Sequence, residues 1–243
     1  MNTNSKTAEI SPQTYARIGG LLYMIIIVTG IFGELFVRGK LVVAGDATAT
    51  ANNIMASPLL WRIGIVGDLV MHVCDVPLML IFYVLLRPVN KNLALLALLF
   101  TLVQTAVLVA TKLNLFIPVF LSGNADYLKA FEPNQLHALI YLSVKSDTYG
   151  FAIGLLFFGF ACLVLGYLIF KSAYLPKTLG ILMQIAGLCY LANSFALFLA
   201  PAFSNSISPA ILVPAFIGEL SLCLWLLVKG VNVPEWKKQA LSL

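Results

Sequence analysis

Six apolar stretches, each about twenty residues or longer and nearly free of charge, constrain this chain more than any motif in it. A helix needs about 20 apolar residues to cross the roughly 30 Å hydrocarbon layer at 1.5 Å per residue, because backbone groups in lipid can bond only to one another. The stretches run roughly over residues 18–37, 59–86, 93–120, 148–170, 178–199 and 208–228. At 60% hydrophobic and 10% charged residues, the chain lacks the polar surface of a soluble domain, in which about 25% of residues are charged. The expectation is an all-α fold: a polytopic membrane bundle of six transmembrane helices, forming a single integral-membrane domain over residues 1–243. The first apolar run is longer than the roughly 7–15 residues of a signal-peptide core and reads as a retained anchor.

Orientation follows from the basic residues between the stretches. Lys6, Arg17, Arg87, Lys91, Lys171, Lys177, Lys229, Lys237 and Lys238 fall on one side of the membrane, against Arg38, Lys40, Lys129 and Lys145 on the other. That bias puts both termini in the cytoplasm of a bacterial inner (cell) membrane. Net charge is +5, but the basic residues are scattered and form no patch for nucleic acid. Cys74, Cys162, Cys189 and Cys223 lie singly inside apolar runs and read as small buried hydrophobes, with no metal knuckle or redox pair.

The two long outer loops carry helix signals of their own. Asp46 stands where an N-cap belongs, ahead of residues 47–56, and Pro58 then marks a stop. Pro133 can open a second helix with Leu136, Leu139, Ile140 and Val144 on one side and His137, Tyr141 and Lys145 on others. Both are expected as short interfacial helices, the second lying on the bilayer before the fourth span.

Ionisable residues inside membrane spans are costly and usually face a bundle interior or a wet cavity. In the second stretch Asp68, His72 and Asp75, at i, i+4 and i+7, fall on one helical stripe, and Pro77 bends the helix beside them. In the third, Lys112 shares a stripe with Thr101 and Thr105, bordered by Gln104. Counting residues along each span puts Asp68 level with Lys112, and Glu219, Glu34, Arg62, Asp147 and Asn193 also fall in the outer half. Asp68, His72, Asp75, Lys112 and Glu219 are therefore the principal site residues, and the other four secondary ones. Structural readings stand beside this. Asp68 with Lys112 can be a salt bridge locking two helices. Glu34 and Arg62 can snorkel to headgroups, and Asp147 can serve a helix dipole. Gly150, Gly154 and Ala161 allow close packing of the fourth span on a neighbour. The five acids outnumber Arg62 and Lys112 by three, so some acids hold a proton, with Asp75 and Glu219 the candidates, or a cation accompanies them.

Arg17, Gly19, Gly20 and Tyr23, then Gly45-Asp46-Ala47, Asn53-Ile54, Arg62, Asp75 and the Leu85-Leu86-Arg87-Pro88-Val89 exit resemble the bacterial integral-membrane proteins grouped as domain-of-unknown-function family 4386. The Leu175-Pro176-Lys177 turn and the Leu224-Trp225-Leu226-Leu227 ending are similar too. The resemblance spans nearly the whole chain. It implies a multi-pass protein and transfers no mechanism.

Three functions fit the residues. One is binding or transport of a proton, metal ion or small cationic ligand through an outward-facing acidic cavity, with Lys112 holding the charge pattern. The second is a metal-assisted intramembrane hydrolase in which His72, Asp68 and Asp75 hold a divalent metal, since catalytic zinc takes three protein ligands and an open position. The third is a structural or accessory subunit without a ligand. A bis-histidine haem lacks its second axial residue, because His72 is the one in-span histidine. Apart from that divalent metal, no cofactor is expected.

Overall fold

The computed structural model describes residues 11–123 and 125–241. Among them are six helices long and apolar enough to cross a membrane: Pro12–Leu41, Pro58–Leu86, Lys91–Leu121, Pro133–Lys171, Lys177–Leu199 and Ala210–Val228, here spans 1 to 6. No strand occurs among the described residues. Each span packs on its neighbours in sequence, and span 6 closes on span 1, so the six helices form a ring. Leu21, Val28, Val66, Val73, Leu99 and Leu188 turn outward and are exposed, as side chains bathed in acyl chains should be. Lys6 lies outside the described residues.

The termini of the spans obey local chemistry. Ser11 caps span 1 by accepting from the Thr14 amide, and Asn90 caps span 3 by accepting from that of Leu93. Asp46 does the same at 2.8 Å from the Ala49 amide, opening the short helix Ala47–Ala56 where its sequence signal placed it. Span 1 departs from regular geometry. From Phe32 to Arg38 it widens into a π-helix, which carries the helix on to Leu41 instead of ending it at residue 37.

Span 4 corrects a boundary. The segment after Pro133, expected as a separate interfacial helix, is instead the beginning of one continuous 39-residue helix, opened by a capping box between Glu132 and Gln135. At about 58 Å it is nearly twice as long as the hydrocarbon layer is thick. In its first turns Ile140 and Val144 pack with Ala51 and Ile54 of the Ala47–Ala56 helix and with Trp61 and Leu115. Of the apolar side that suggested a bilayer surface, Ile140 and Val144 are covered by protein, whereas Leu139 stays exposed. Further along, Gly150 and Gly154 do pack closely: a Cβ on either would run into Thr111 or Leu108 of span 3.

The face bearing both described ends of the chain is sealed. Tyr174, between spans 4 and 5, donates to the Leu85 carbonyl at 2.6 Å, and Trp236 of the C-terminal helix Val233–Ala240 donates to the same oxygen at 2.9 Å. Gln13 ties span 1 to the chain after span 6 through the Lys229 carbonyl and the Val231 amide. Burial raises the Tyr174 pKa above its ordinary value. Beneath this closure Leu85, Leu86, Leu168, Ile169 and Leu226 fill the ring with apolar side chains.

Candidate functional site

The polar residues of the spans separate into two layers. Measured from the ends of their spans at the sealed face, Asp68, Lys112, Asp147 and Arg38 lie roughly 27–39 Å along the helices, whereas Asp75, Glu219, Tyr23 and Tyr190 lie roughly 14–20 Å along. Asp68 and Lys112 share the outer layer, as residue counting along the spans expected, whereas Glu219, expected in the outer half, lies deeper with Asp75.

The outer layer is an ion-pair chain linking spans 1 to 4. Arg38 grips Asp68 with both Nη atoms, at 2.7 and 3.2 Å, while its Nε donates to Glu34 at 2.8 Å. Lys112 Nζ lies 3.5 Å from Asp68 and donates to both oxygens of Asp147, at 3.1 and 3.2 Å. Asp68, Lys112 and Asp147 are buried; Glu34, at 68% side-chain exposure, is the open end. The π-helix makes this possible, because it sets Arg38 over span 2. Gly33 completes the fit: a Cβ there would stand 2.6 Å from Asp68 Oδ1 and 2.9 Å from Arg38 Nη2.

Several sequence assignments change here. The structural bridge expected for Asp68 and Lys112 exists, but Lys112 engages Asp147 more closely, and Asp147 sits mid-helix because span 4 starts at Pro133. The second base is Arg38, which the sequence placed in the loop; Arg62 is exposed and off the cavity wall. Asn193 is half-buried and likewise off that wall. The metal triad does not assemble. Asp68 is occupied by two cationic side chains, and among the described residues no three His, Cys, Asp or Glu groups come together as ligands.

The inner layer faces a cavity of about 380 Å³ inside the ring, to which all six spans contribute. Its wall is mostly apolar and aromatic, with Asp75 from span 2 and Glu219 from span 6 as the acids at this depth. Tyr190 donates a hydrogen bond to Glu219, and Tyr23 also interacts with that carboxylate. Around them Tyr23 meets Phe82 edge-on at 6.1 Å, and Phe158 tilts against Tyr190 at 5.3 Å. Asp75 lies 3.3 Å from His72 Nδ1, and the buried Nε2 of His72 has no partner among the described residues. Gln104 of span 3 also lines the cavity, and its buried Oε1 has no partner among the described residues. Toward the unsealed face the wall reaches Glu34, Arg38, Ser208 and Pro209.

Lys112 does not line this space. Phe151 does, and Lys112 Nζ sits 5.9 Å from the centre of that ring on the ion-pair side. The cation in the cavity wall is Arg38, and two carboxylates already hold it. Among the described residues, Asp75 and Glu219 thus share an apolar chamber with no lysine or arginine paired to them, and His72 contacts Asp75. Sequence reasoning named both acids but missed the tyrosines as site residues. The available signal was a hydroxyl-bearing ring at the middle of spans 1 and 5, matching the depth of the two acids.

With this geometry in view, likeness to other proteins gives a family and no fold precedent. The profile of the family described as "Domain of unknown function (DUF4386)" matches residues 18–230. A protein of Archaeoglobus fulgidus described as uncharacterized is 30% identical over 171 residues, covering 70% of this chain and 86% of its own length. No solved structure matches the chain.

Proposed function

Since this chain belongs to the DUF4386 family, whose description assigns no activity, we propose from the site itself that it binds and carries a small cation through the chamber between its spans. The observation that carries the proposal is the pair Asp75 and Glu219 in an apolar chamber whose cationic wall residue, Arg38, is already neutralised. Two carboxylates in low dielectric without a countercharge are stable only when protonated or when a cation joins them. Exchange of the proton for the cation is then the elementary step. The chamber is closed toward the sealed face by Leu85, Leu86 and the Tyr174–Trp236 pair, so loading occurs from the other side, past Glu34 and Arg38.

The sealed face is cytoplasmic in this proposal, because Arg87, Lys91, Lys171, Lys177 and Lys229 all border it. A fluorescent-protein fusion at the C-terminus then glows, and an alkaline phosphatase fusion there stays inactive; the opposite pattern overturns the orientation.

Proton movement in proteoliposomes carrying a pH-sensitive dye tests the carrier reading. Concentration jumps of potassium, magnesium and organic ammonium chlorides should drive a saturable proton flux, above that of protein-free liposomes, in exchange for at least one cation. Asp75→Asn and Glu219→Gln should each abolish it, while the exposed Lys129→Ala leaves it intact. No saturable proton flux with any of these salts would overturn the reading.

A further inference from the structure

We infer that the cation this chamber takes is a protonated primary or secondary amine with an apolar body. The inference rests on the reading that Asp75 and Glu219 hold a cation, and narrows it by chemistry.

Size comes first. A volume of about 380 Å³ falls in the range of small-molecule pockets, roughly 300–1,000 Å³, and greatly exceeds one bare ion. An inorganic ion would need its hydration shell replaced: magnesium and calcium take about six to eight oxygens, and carry waters where the protein supplies fewer. Two carboxylates in a wall otherwise dominated by hydrocarbon and aromatic rings do not supply such a shell, and no three metal-ligating groups meet among the described residues. An apolar body fits that wall instead.

The charged end of the ligand is set by the inner layer. The Tyr23–Phe82 and Phe158–Tyr190 ring pairs border the acids, and aromatic faces attract ammonium groups. Rings alone favour quaternary and protonated amines alike. Hydrogen-bonding capacity separates them. Glu219 accepts from Tyr190, which leaves further lone pairs on the carboxylate, and Asp75 has only the His72 contact at 3.3 Å.

Gln104 adds an independent observation. It is 6% exposed, it lines the chamber, and its Oε1 is an acceptor without a donor among the described residues. That oxygen is turned away from the open space of the chamber, and turning the amide over about its last torsion would bring it there. A buried acceptor left empty is costly, and a ligand N–H is what satisfies it. An ammonium carrying N–H bonds serves Asp75, Glu219 and Gln104 together. A quaternary ammonium serves none of them by hydrogen bonding.

The test is equilibrium binding to the full-length protein in nanodiscs, with partition into empty nanodiscs subtracted. The probes are 4-phenylbutylammonium, its trimethylammonium analogue, 4-phenylbutanol, and potassium and magnesium chlorides. The primary ammonium should bind saturably and roughly tenfold more tightly than the trimethyl analogue or the alcohol. Asp75→Asn or Glu219→Gln should remove most of that affinity. Gln104→Leu should shrink the gap between primary and trimethyl probes several-fold while the trimethyl affinity persists, which also shows that the variant is folded. Equal or tighter binding of the trimethyl probe, or of the alcohol, overturns the amine class, and an unchanged gap in Gln104→Leu overturns the role of that side chain. Binding of potassium or magnesium that depends on the two acids, without amine binding, overturns the class and leaves the cation reading standing. No binding of any cation overturns both.

Discussion

The ion-pair chain near the unsealed face and the acid–tyrosine layer at mid-depth both place carboxylates inside an apolar bundle, with opposite outcomes. In the first, Asp68 and Asp147 have cations within 2.7–3.5 Å and little exposed surface. In the second, Asp75 and Glu219 have a histidine and two tyrosines, and empty space beside them. Burial of a charge is tolerated where a partner of opposite sign is fixed in place. Where the fixed partner is absent, the proposed cation would supply the missing charge. The chain ties spans 1 to 4 together; the chamber needs all six spans to exist.

If that division is right, substitutions in the two layers should separate stability from binding. The largest stability loss is expected for Asp68→Asn, which strands Arg38 and Lys112 without their shared partner and should cost about 3–5 kcal/mol, read as a lowered thermal midpoint in detergent. A smaller loss, about 1–3 kcal/mol, should follow Gly33→Ala, because its methyl group pushes into the Arg38–Asp68 pair. A Gly33→Ala protein as stable as the wild type would mean that the pair does not hold spans 1 and 2. Asp75→Asn should shift stability by less than about 1 kcal/mol while removing most of the ligand affinity, since an amide matches the protonated acid in size and keeps a polar group beside His72. Tyr190→Phe should cost about 1 kcal/mol through its lost hydrogen bond to Glu219.

The smallest effect lies at the sealed end. Because burial keeps Tyr174 protonated while an unfolded tyrosine ionises near pH 10, its contribution is present below about pH 10 and is lost as pH rises further. Alkaline unfolding curves of wild type and Tyr174→Phe should therefore converge at high pH. Curves that stay parallel would show that Tyr174 is not shielded there.

Much of the fold was legible because lipid imposes a simple rule on length and hydropathy: six runs became six spans, and Asp46 capped the helix it preceded. The site was legible only in part. Helical periodicity put Asp68, His72 and Asp75 on one stripe, but a stripe on a long helix crosses more than one depth, and Asp68 and Asp75 serve different layers. Arg38 escaped detection because a π-helix changes the register at the end of span 1, a deviation with no signature in apolar run length. The length of span 4 was missed for a related reason. An apolar side facing another helix and one facing a membrane surface have the same sequence pattern, and only the partner helix Ala47–Ala56 decides between them. Tyr23 and Tyr190 look like ordinary core aromatics until Glu219 is seen beside their hydroxyls.

Carbodiimide labelling mapped by mass spectrometry probes the two-layer account most directly, because the reagent enters apolar spaces and adds to carboxyl groups that are reachable and not held in ion pairs. Adducts are expected on Asp75 and Glu219, with Asp68 and Asp147 left unmodified. Labelling of Asp68 or Asp147 at comparable yield, or no adduct on either chamber acid, would contradict the division on which the account stands.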